Sequence, residues 1–305
     1  MENSIFLGNG FNRVSSDLNS WNNLLKKISL NKIIDDIPNT LQYEDLYLAK
    51  EINLSGVPAK VAKYSKEFQF KYKIAELVSQ YSPNILYRLL ADIDVCSYIT
   101  TNYDNALECQ LMEDGYLENI SNSDVSEQLY SIRRHHSFIK NDREIMIWPI
   151  HGEAKYPKSI MLGYDHYCGA IGKVDSFIKG FYEYRNENSE MTKMSSIVER
   201  FKSSDKKIYS WIDLFFMHNL HIIGFGLDYS EQDIWFILNK RQRYIKENKI
   251  DITNQIYFYG CIDHNKEMLL KDFGVNVFSY NTPKKQTAWI ELYKKMINDL
   301  QSNIS

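Results

Sequence analysis

Two short polar segments contain the residues of this sequence that are best suited to chemistry, and each directly follows an apolar run. Residues 100–104 read Thr-Thr-Asn-Tyr-Asp, and His151 is followed by Gly152. An Asn amide donates and accepts hydrogen bonds at once, a carboxylate accepts them, and an imidazole exchanges protons near neutral pH. Taken singly, the residues have simpler interpretations: Asp104 as a helix N-cap, Asn102 as a turn former, and His151 as a hydrogen-bonded core residue.

A third segment, Gly8-Asn9-Gly10, follows the apolar residues 5–7 and is predicted to open a helix. Glycines let a backbone turn tightly and approach a phosphate, and a helix N-terminus favours an anion. The dinucleotide-binding fingerprint requires another glycine where Arg13 stands, and an acidic residue about 20 positions further on. The segment therefore fits a dehydrogenase poorly. A plain strand–helix turn and a phosphate cradle both remain open.

Alternating strands and helices would position these segments. Strand-length apolar runs are followed or separated by stretches with helical spacing of apolar residues. The predicted strands are 5–7, 95–100, 145–150, 220–223, 256–262 and 275–280, and the predicted helices are 21–28, 104–112, 233–245 and 264–273. This alternation predicts an α/β, Rossmann-like, mostly parallel sheet with helices on both faces. Ligands of such sheets bind beyond the carboxyl ends of the strands, where the polar segments fall.

The chain is predicted to form a single domain over residues 1–305. Two stretches, at about 31–90 and 165–211, interrupt the alternation and are predicted to be helical. We interpret them as insertions that form a lid, covering the edge of the sheet or roofing the site. The alternative is that they are ordinary crossover helices of the same domain.

Composition excludes several classes of protein. Of the 305 residues, 44% are hydrophobic and 25% are charged, which is typical of a folded protein. The net charge of −3 argues against direct nucleic-acid binding. No signal peptide or membrane-spanning run is visible, so a cytoplasmic protein with no membrane association is expected. The cysteines lack C-x-x-C spacing and His218 and His221 lack further ligands nearby, so no zinc or other metal site is expected. The cysteines are Cys96, Cys109, Cys168 and Cys261.

The polar segments also occur in an informative order. They run Gly-Asn-Gly at 8–10, Thr-Thr-Asn-Tyr-Asp at 100–104, HGEAKYPKSIMLGYDHY at 151–167 and GFGLDYSEQD at 224–233. This order resembles the sirtuin-like NAD-cleaving family of bacterial anti-phage defence, including the sirtuin-like effector of Thoeris. The resemblance covers about residues 1–30 and 90–280. The Gly8-Asn9-Gly10 turn departs from the family's usual Gly-Ala-Gly, and also resembles the start of abortive-infection proteins of the G-N-G-F type.

The resemblance implies that NAD is the substrate and that the enzyme is an NAD+ glycohydrolase, a hydrolase that releases nicotinamide. It implies that Asn102 orients the ribose or the attacking water. His151 is expected to be the base, because an unperturbed imidazole has a pKa of ~6.5 and is largely neutral at cellular pH. The resemblance also implies a set of NAD-binding residues: Gly8, Asn9, Gly10, Thr101, Asp104, Gly224, Gly226 and Asp228. Asp233 is interpreted as a helix cap rather than a ligand contact. Protein deacylation in this family usually accompanies a four-cysteine zinc module, which the sequence lacks.

Control of the activity follows from its toxicity. Because unchecked loss of NAD kills the host, the resemblance implies an antiviral, abortive-infection effector held inactive until assembly into a homo-oligomer, or a partner protein, activates it. Two alternatives remain: a non-catalytic nucleotide-binding sensor on the same fold, and a nucleotide hydrolase with another substrate. The presence of both Asn102 and His151 favours an enzyme over a sensor, because a sensor needs no base.

Overall fold

A computed structural model describes residues 1–15, 20–30, 34, 37–49, 51–119, 129–185 and 190–304. Its strands are β1 (Asn3–Leu7), β2 (Ser97–Thr100), β3 (Leu117–Glu118), β4 (His136–Lys140), β5 (Arg143–Pro149), β6 (Glu183–Arg185), β7 (Met191–Lys193), β8 (Asn219–Ile223), β9 (Ile256–Gly260) and β10 (Val275–Ser279). Eight of them form one sheet in the order β10-β9-β8-β1-β2-β5-β4-β3, while β6 and β7 pair separately. The mostly parallel α/β architecture that the sequence predicts is therefore confirmed.

All six predicted strands lie side by side in this sheet. β10, β9, β8, β1, β2 and β5 are parallel, with Ile5 paired to His221 on one side and to Tyr98 on the other. The antiparallel strands β3 and β4 extend the sheet beyond β5 and were not predicted. Asn141, at φ +54°, forms the tight turn between β4 and β5, and an Asn-Asp pair between two apolar runs is the signal that could have revealed this hairpin.

The helices of the described chain are α1 (Gly10–Ser15), α2 (Trp21–Ile28), α3 (Asn39–Leu48), α4 (Lys66–Val78), α5 (Ile85–Ala91), α6 (Ala106–Glu113), α7 (Tyr164–Lys179), α8 (Ile197–Lys202), α9 (Trp211–Met217), α10 (Gln232–Lys246), α11 (His264–Asp272) and α12 (Ala288–Ile304). The four predicted helices correspond to α2, α6, α10 and α11. Within the described ranges, no helix is long and apolar enough to cross a membrane.

Successive side chains of each strand point to opposite faces of the sheet, so the apolar core is divided between the two faces. Phe6 and Ile222 point into a cluster with residues of α7, α9 and α10, such as Val174. Their neighbours Leu7 and Ile223 point into a cluster with residues of α5, α6 and α12. Because both faces bury apolar side chains, helices must cover both, and the strand ends become the place where a cleft can open.

A third cluster of buried apolar residues lies away from the sheet and joins α2, α3 and α4. Leu25, Tyr43 and Phe70 from these helices pack with Ile160 and Leu162, which follow β5. This cluster holds the three helices over the carboxyl ends of the strands. By contrast, α5 and α7 contribute to the clusters on the sheet itself. The proposed domain division, with insertions at about 31–90 and 165–211, stays a prediction, and residues 31–33, 35–36, 50 and 186–189 lie outside the described chain.

Candidate functional site

A cavity of about 550 Å³ opens at the carboxyl ends of the parallel strands. Loops after β1, β2, β5, β8 and β9 form its floor, while α2, α4 and α12 contribute Trp21, Val78 and Trp289 to its walls. Every predicted site residue except Gly8 lines it: Asn9, Gly10, Thr101, Asn102, Asp104, His151, Gly224, Gly226 and Asp228. Parallel strands bring these residues together across more than 200 positions of sequence, and their roles in binding and catalysis stay predictions.

The glycine segment after β1 interlocks with the loop after β8. The Gly8 N–H donates to the Ile223 carbonyl at 3.1 Å, and the Gly10 N–H donates to the Gly224 carbonyl at 2.7 Å. A Cβ on Gly8 would lie 2.6 Å from the Cα of Phe225, so only glycine allows this approach. Both amides are bonded within the protein. The predicted phosphate contact of Gly8 and Gly10 therefore cannot use these two N–H groups in this arrangement.

Asn102 presents an unsatisfied acceptor beside the cavity. Its backbone N–H donates to Thr100 Oγ1 at 3.0 Å, and its Nδ2 donates to the Gly8 carbonyl at the long distance of 3.5 Å. Its Oδ1 is buried and accepts no hydrogen bond from the described residues. Leaving a buried carbonyl unpaired costs about 1–3 kcal/mol. The site therefore holds an acceptor that a ligand hydroxyl or a water can satisfy.

Asp104 is held by a buried polar network. Its Oδ1 accepts from the Ala106 N–H at 3.0 Å, at the start of α6, and its Oδ2 accepts from Asn12 Nδ2 at 2.6 Å. The Tyr87 hydroxyl donates to Asn12 Oδ1 at 2.6 Å. Burial raises the pKa of Asp104 despite the hydrogen bonds from Ala106 and Asn12. Asp104 is therefore not the N-cap that the sequence suggested: the N-cap of α6 is Asn105, and Asp104 lies one residue before it.

Asn12, which does not line the cavity but holds Asp104, was not predicted from the sequence. It lies three positions after Asn9 on α1, and its Nδ2 also donates to Asn9 Oδ1 at 2.9 Å. That spacing places both amides on one face of the helix, which is the signal that could have identified Asn12. The pair connects the glycine segment to Asp104.

His151 is buried between two carboxylates. Its Nε2 lies 2.9 Å from Asp233 Oδ2, and its Nδ1 lies 3.6 Å from Glu231 Oε2. The Tyr167 ring packs edge-on against the imidazole at 5.3 Å between centroids, and the Tyr167 hydroxyl donates to Glu231 Oε2 at 3.1 Å. Burial lowers the pKa of His151, but the two carboxylates outweigh it and the pKa lies above its ordinary value. The expectation of an unperturbed imidazole is therefore wrong.

The carboxylates beside His151 were not predicted as its partners. Asp233 is not the cap of α10: the N-cap position is Glu231, which makes no side-chain cap hydrogen bond, and Asp233 lies inside the helix. Asp233 is 1% exposed and does not line the cavity, whereas Glu231 does. Burial raises the pKa of Glu231 to about 7, although the neighbouring His151 opposes this shift. The spacing Glu231-x-Asp233 alone does not indicate that both side chains turn toward one histidine.

Gly152 is required by the conformation of the backbone and by the lack of space for a side chain. Its φ is +94°, and a Cβ there would lie 2.3 Å from the Ser159 carbonyl oxygen. We expect Gly152→Ala to lower the free energy of unfolding by at least about 2 kcal/mol, measured by urea denaturation. Gly172→Ala is the matched control, because a Cβ at Gly172, within α7, meets nothing within 4 Å. Equal stability of the two variants would contradict this role.

One further cluster lies at the amino ends of the central strands and joins Glu2, Cys96 and His218, which precede β1, β2 and β8. The Cys96 thiol is 3.8 Å from His218 Nδ1, while Glu2 Oε2 is 3.3 Å from His218 Nε2. Ser4 Oγ already bonds Nδ1 at 2.8 Å. The two other groups thus approach different ring nitrogens, as in a hydrogen-bonded cluster rather than a chelate. The absence of zinc stays a prediction.

Comparison with known proteins adds one finding. The model of the SIR2-like domain matches residues 96–278, which is more than half of the chain and spans β2 to β10. The match includes Asn102, His151 and the segment 224–233, while the Gly8–Gly10 turn lies outside it. No curated protein matches the chain.

Proposed function

The chain belongs to the SIR2-like family, which binds NAD, and on that premise we propose that it is an NAD+ glycohydrolase. The observation that carries the proposal is the meeting of Asn102 and His151 at one cavity beyond the strand ends. An acceptor with no partner among the described residues and an imidazole lining the same cavity supply the two functions that hydrolysis at a sugar carbon requires: orientation of a hydroxyl or water, and removal of its proton.

The proposed reaction converts NAD+ and water into nicotinamide, ADP-ribose and a proton. The bond between ribose C1′ and the pyridinium nitrogen breaks, and its electron pair neutralises the ring as nicotinamide leaves. Positive charge develops on the ribose as this bond breaks. The water oxygen then bonds to C1′ and its proton passes to a base. A site for this reaction needs hydrogen-bond acceptors near the ribose and a base within reach of the attacking water.

The residues of the cavity meet these needs. Asn102 Oδ1 would accept from a ribose hydroxyl or from the water, because it has no partner among the described residues. Asp104 is held by Asn12 and the Ala106 N–H, so its position is fixed before a ligand binds. His151 would take the proton. Preorganised groups of this kind lower a barrier because they need not reorient during the reaction.

We expect the purified protein, once activated, to release nicotinamide from NAD+, with kcat/KM rising with pH. Below its pKa, His151 is doubly protonated and has no lone pair to accept a proton, so activity appears only as the pH passes that pKa. Because Asp233 and Glu231 raise this pKa above 6.5, with Tyr167 and Tyr103 as the other titratable groups nearby, the acidic limb should lie above pH 6.5. Chromatography of nicotinamide across a pH series measures it.

Two results would contradict the proposal. NAD+ binding by calorimetry with no release at any pH, in the presence or absence of candidate activators, would instead favour a nucleotide sensor. Release from other nucleotides but not from NAD+ would favour a different hydrolase.

The resemblance also supports a role in anti-phage defence, as an abortive-infection effector in the cytoplasm that self-assembly or a partner protein activates. Bacteria expressing the protein should lose NAD and yield fewer phage after infection, while bacteria expressing a His151→Gln variant should not. Sedimentation of the purified protein before and after exposure to infected-cell extract tests whether activation accompanies assembly. Unchanged NAD during infection would count against this role but not against the enzyme.

A further inference from the structure

We infer that Asp233 is a positioning residue that keeps a proton on Nε2 of His151, so that Nδ1 is the nitrogen that acts as base. This inference rests on the proposed function and specifies how its base is prepared. Sequence spacing gave Asp233 a different role, as a helix cap, and nothing in the family match assigns it one.

The contact between Asp233 and His151 is one that favours a single tautomer. Asp233 Oδ2 lies 2.9 Å from His151 Nε2, and both side chains are buried. An ionised carboxylate can only accept a hydrogen bond, so Nε2 must carry the proton. A neutral imidazole that holds its proton on Nε2 has its lone pair on Nδ1. The carboxylate therefore determines which nitrogen can accept a proton.

The Nδ1 atom of His151 faces Glu231, whose side chain lines the cavity. Glu231 Oε2 lies 3.6 Å from Nδ1, which is too long for a hydrogen bond. Glu231 lines the cavity and its side chain is 12% exposed, whereas Asp233 does not line it. Asp233 thus lies behind the ring relative to the cavity. A proton taken from water or a ribose hydroxyl would arrive at Nδ1, and the imidazolium formed would lie between two carboxylates.

Packing fixes Asp233 in this position. It lies in the first turn of α10, and the adjacent Ile234 is fully buried in the core that covers one face of the sheet. Trp235 Nε1 donates to the Asp228 carbonyl at 3.0 Å and ties the preceding loop to the helix. Because α10 cannot shift without disrupting this core, the carboxylate keeps its distance from His151. Rigid support of this kind is what a positioning residue needs.

Asp233→Asn tests the inference in the full-length protein. The amide has nearly the same shape, but its NH₂ can donate to Nε2 and so favours the tautomer with the proton on Nδ1. We expect kcat for nicotinamide release at pH 7.5 to fall roughly 10- to 100-fold, with KM changed less than about threefold. Loss of the carboxylate also lowers the pKa of His151, so the acidic limb of the remaining activity should move to lower pH.

Asp175→Asn is the matched control. Asp175 lies on α7, is 28% exposed, and its Oδ1 is 3.1 Å from Lys240 of α10, so the same chemical change is made next to the same helix. We expect its kcat and pH profile to equal those of the wild type. A kcat for Asp233→Asn that also equals that of the wild type would overturn the inference, and so would an equal loss in both variants.

If Asp233→Asn does not fold, nitrogen NMR of the wild-type protein can report the tautomer of His151 directly. Long-range ¹H–¹⁵N spectra of wild-type protein, with His151 assigned by comparison with His151→Gln, should show a protonated Nε2 and an unprotonated Nδ1 at pH above the His151 pKa. The opposite tautomer would overturn the inference. If wild-type protein shows this tautomer but releases no nicotinamide under any condition, the proposed function fails while the positioning by Asp233 stands.

Discussion

Replacing His151 by glutamine should lower kcat for nicotinamide release by about 10²- to 10⁴-fold, the usual contribution of a positioned general base. Glutamine has no group that accepts a proton near neutral pH, so the water or ribose hydroxyl would be deprotonated only by solvent. KM for NAD+ should change little, because the substitution removes an interaction needed in the transition state rather than one that holds the substrate. Initial rates over a range of NAD+ concentrations measure both constants.

Glutamine is preferred to alanine at position 151 because the pocket around the ring is charged. Alanine would leave the buried Asp233 carboxylate without the imidazole that bonds it at 2.9 Å. Removing one partner of a buried pair costs about 3–5 kcal/mol, which could unfold the protein and obscure the result. A glutamine NH₂ can still donate to Asp233. The thermal midpoint of His151→Gln should therefore stay closer to that of the wild type than the midpoint of His151→Ala.

His264→Gln is the control for this substitution, because His264 is exposed on α11 and does not line the cavity. Its kcat should equal that of the wild type. If His151→Gln keeps more than a tenth of wild-type kcat, His151 is not the base, and Glu231 becomes the next residue to test, since it lines the same cavity with a pKa of about 7.

Replacing Asn102 by alanine should separate activity from stability. We expect kcat to fall by about 10²- to 10³-fold, as when one preorganised polar group is removed from an active site. The free energy of unfolding should stay the same or rise by up to about 1 kcal/mol, because the Oδ1 that is lost is buried with no partner in the described part of the chain and its Nδ2 bond to Gly8 is long. Urea denaturation of both proteins, beside the nicotinamide assay, measures the two effects.

Asn105→Ala is the matched control for Asn102→Ala. Asn105 precedes α6 on the same loop, is exposed, and makes no side-chain cap hydrogen bond. Its kcat should be unchanged. A fall in both kcat and stability for Asn102→Ala would indicate that the amide supports the loop structurally, and wild-type turnover would remove Asn102 from the mechanism.

The sequence determined the six parallel strands of the sheet and the meeting of the polar segments at their carboxyl ends. Apolar runs such as 220–223 and 145–150 are local signals of strands. Parallel strands necessarily bring their carboxyl ends to the same end of the sheet. The polar residues after those runs, from Asn102 to Asp228, were therefore found without knowing any contact between them. Local signals were weaker for the short antiparallel strands β3 and β4 and for α12, which were not predicted.

Only the tertiary structure determined which side chains contact these residues and how their pKa values are shifted. The charge around His151 comes from Glu231 and Asp233, some 80 positions away, and Asp104 is held by Asn12, 92 positions away. None of these three partners has a spacing that reveals its contact, because side-chain direction across different loops depends on how the helices pack on the sheet. A pKa depends on burial and on charges in space rather than on neighbours in sequence. For this reason the chain could predict that these polar residues meet at the strand ends, while the raised pKa of His151 and the Asn102 oxygen with no partner among the described residues could not be predicted.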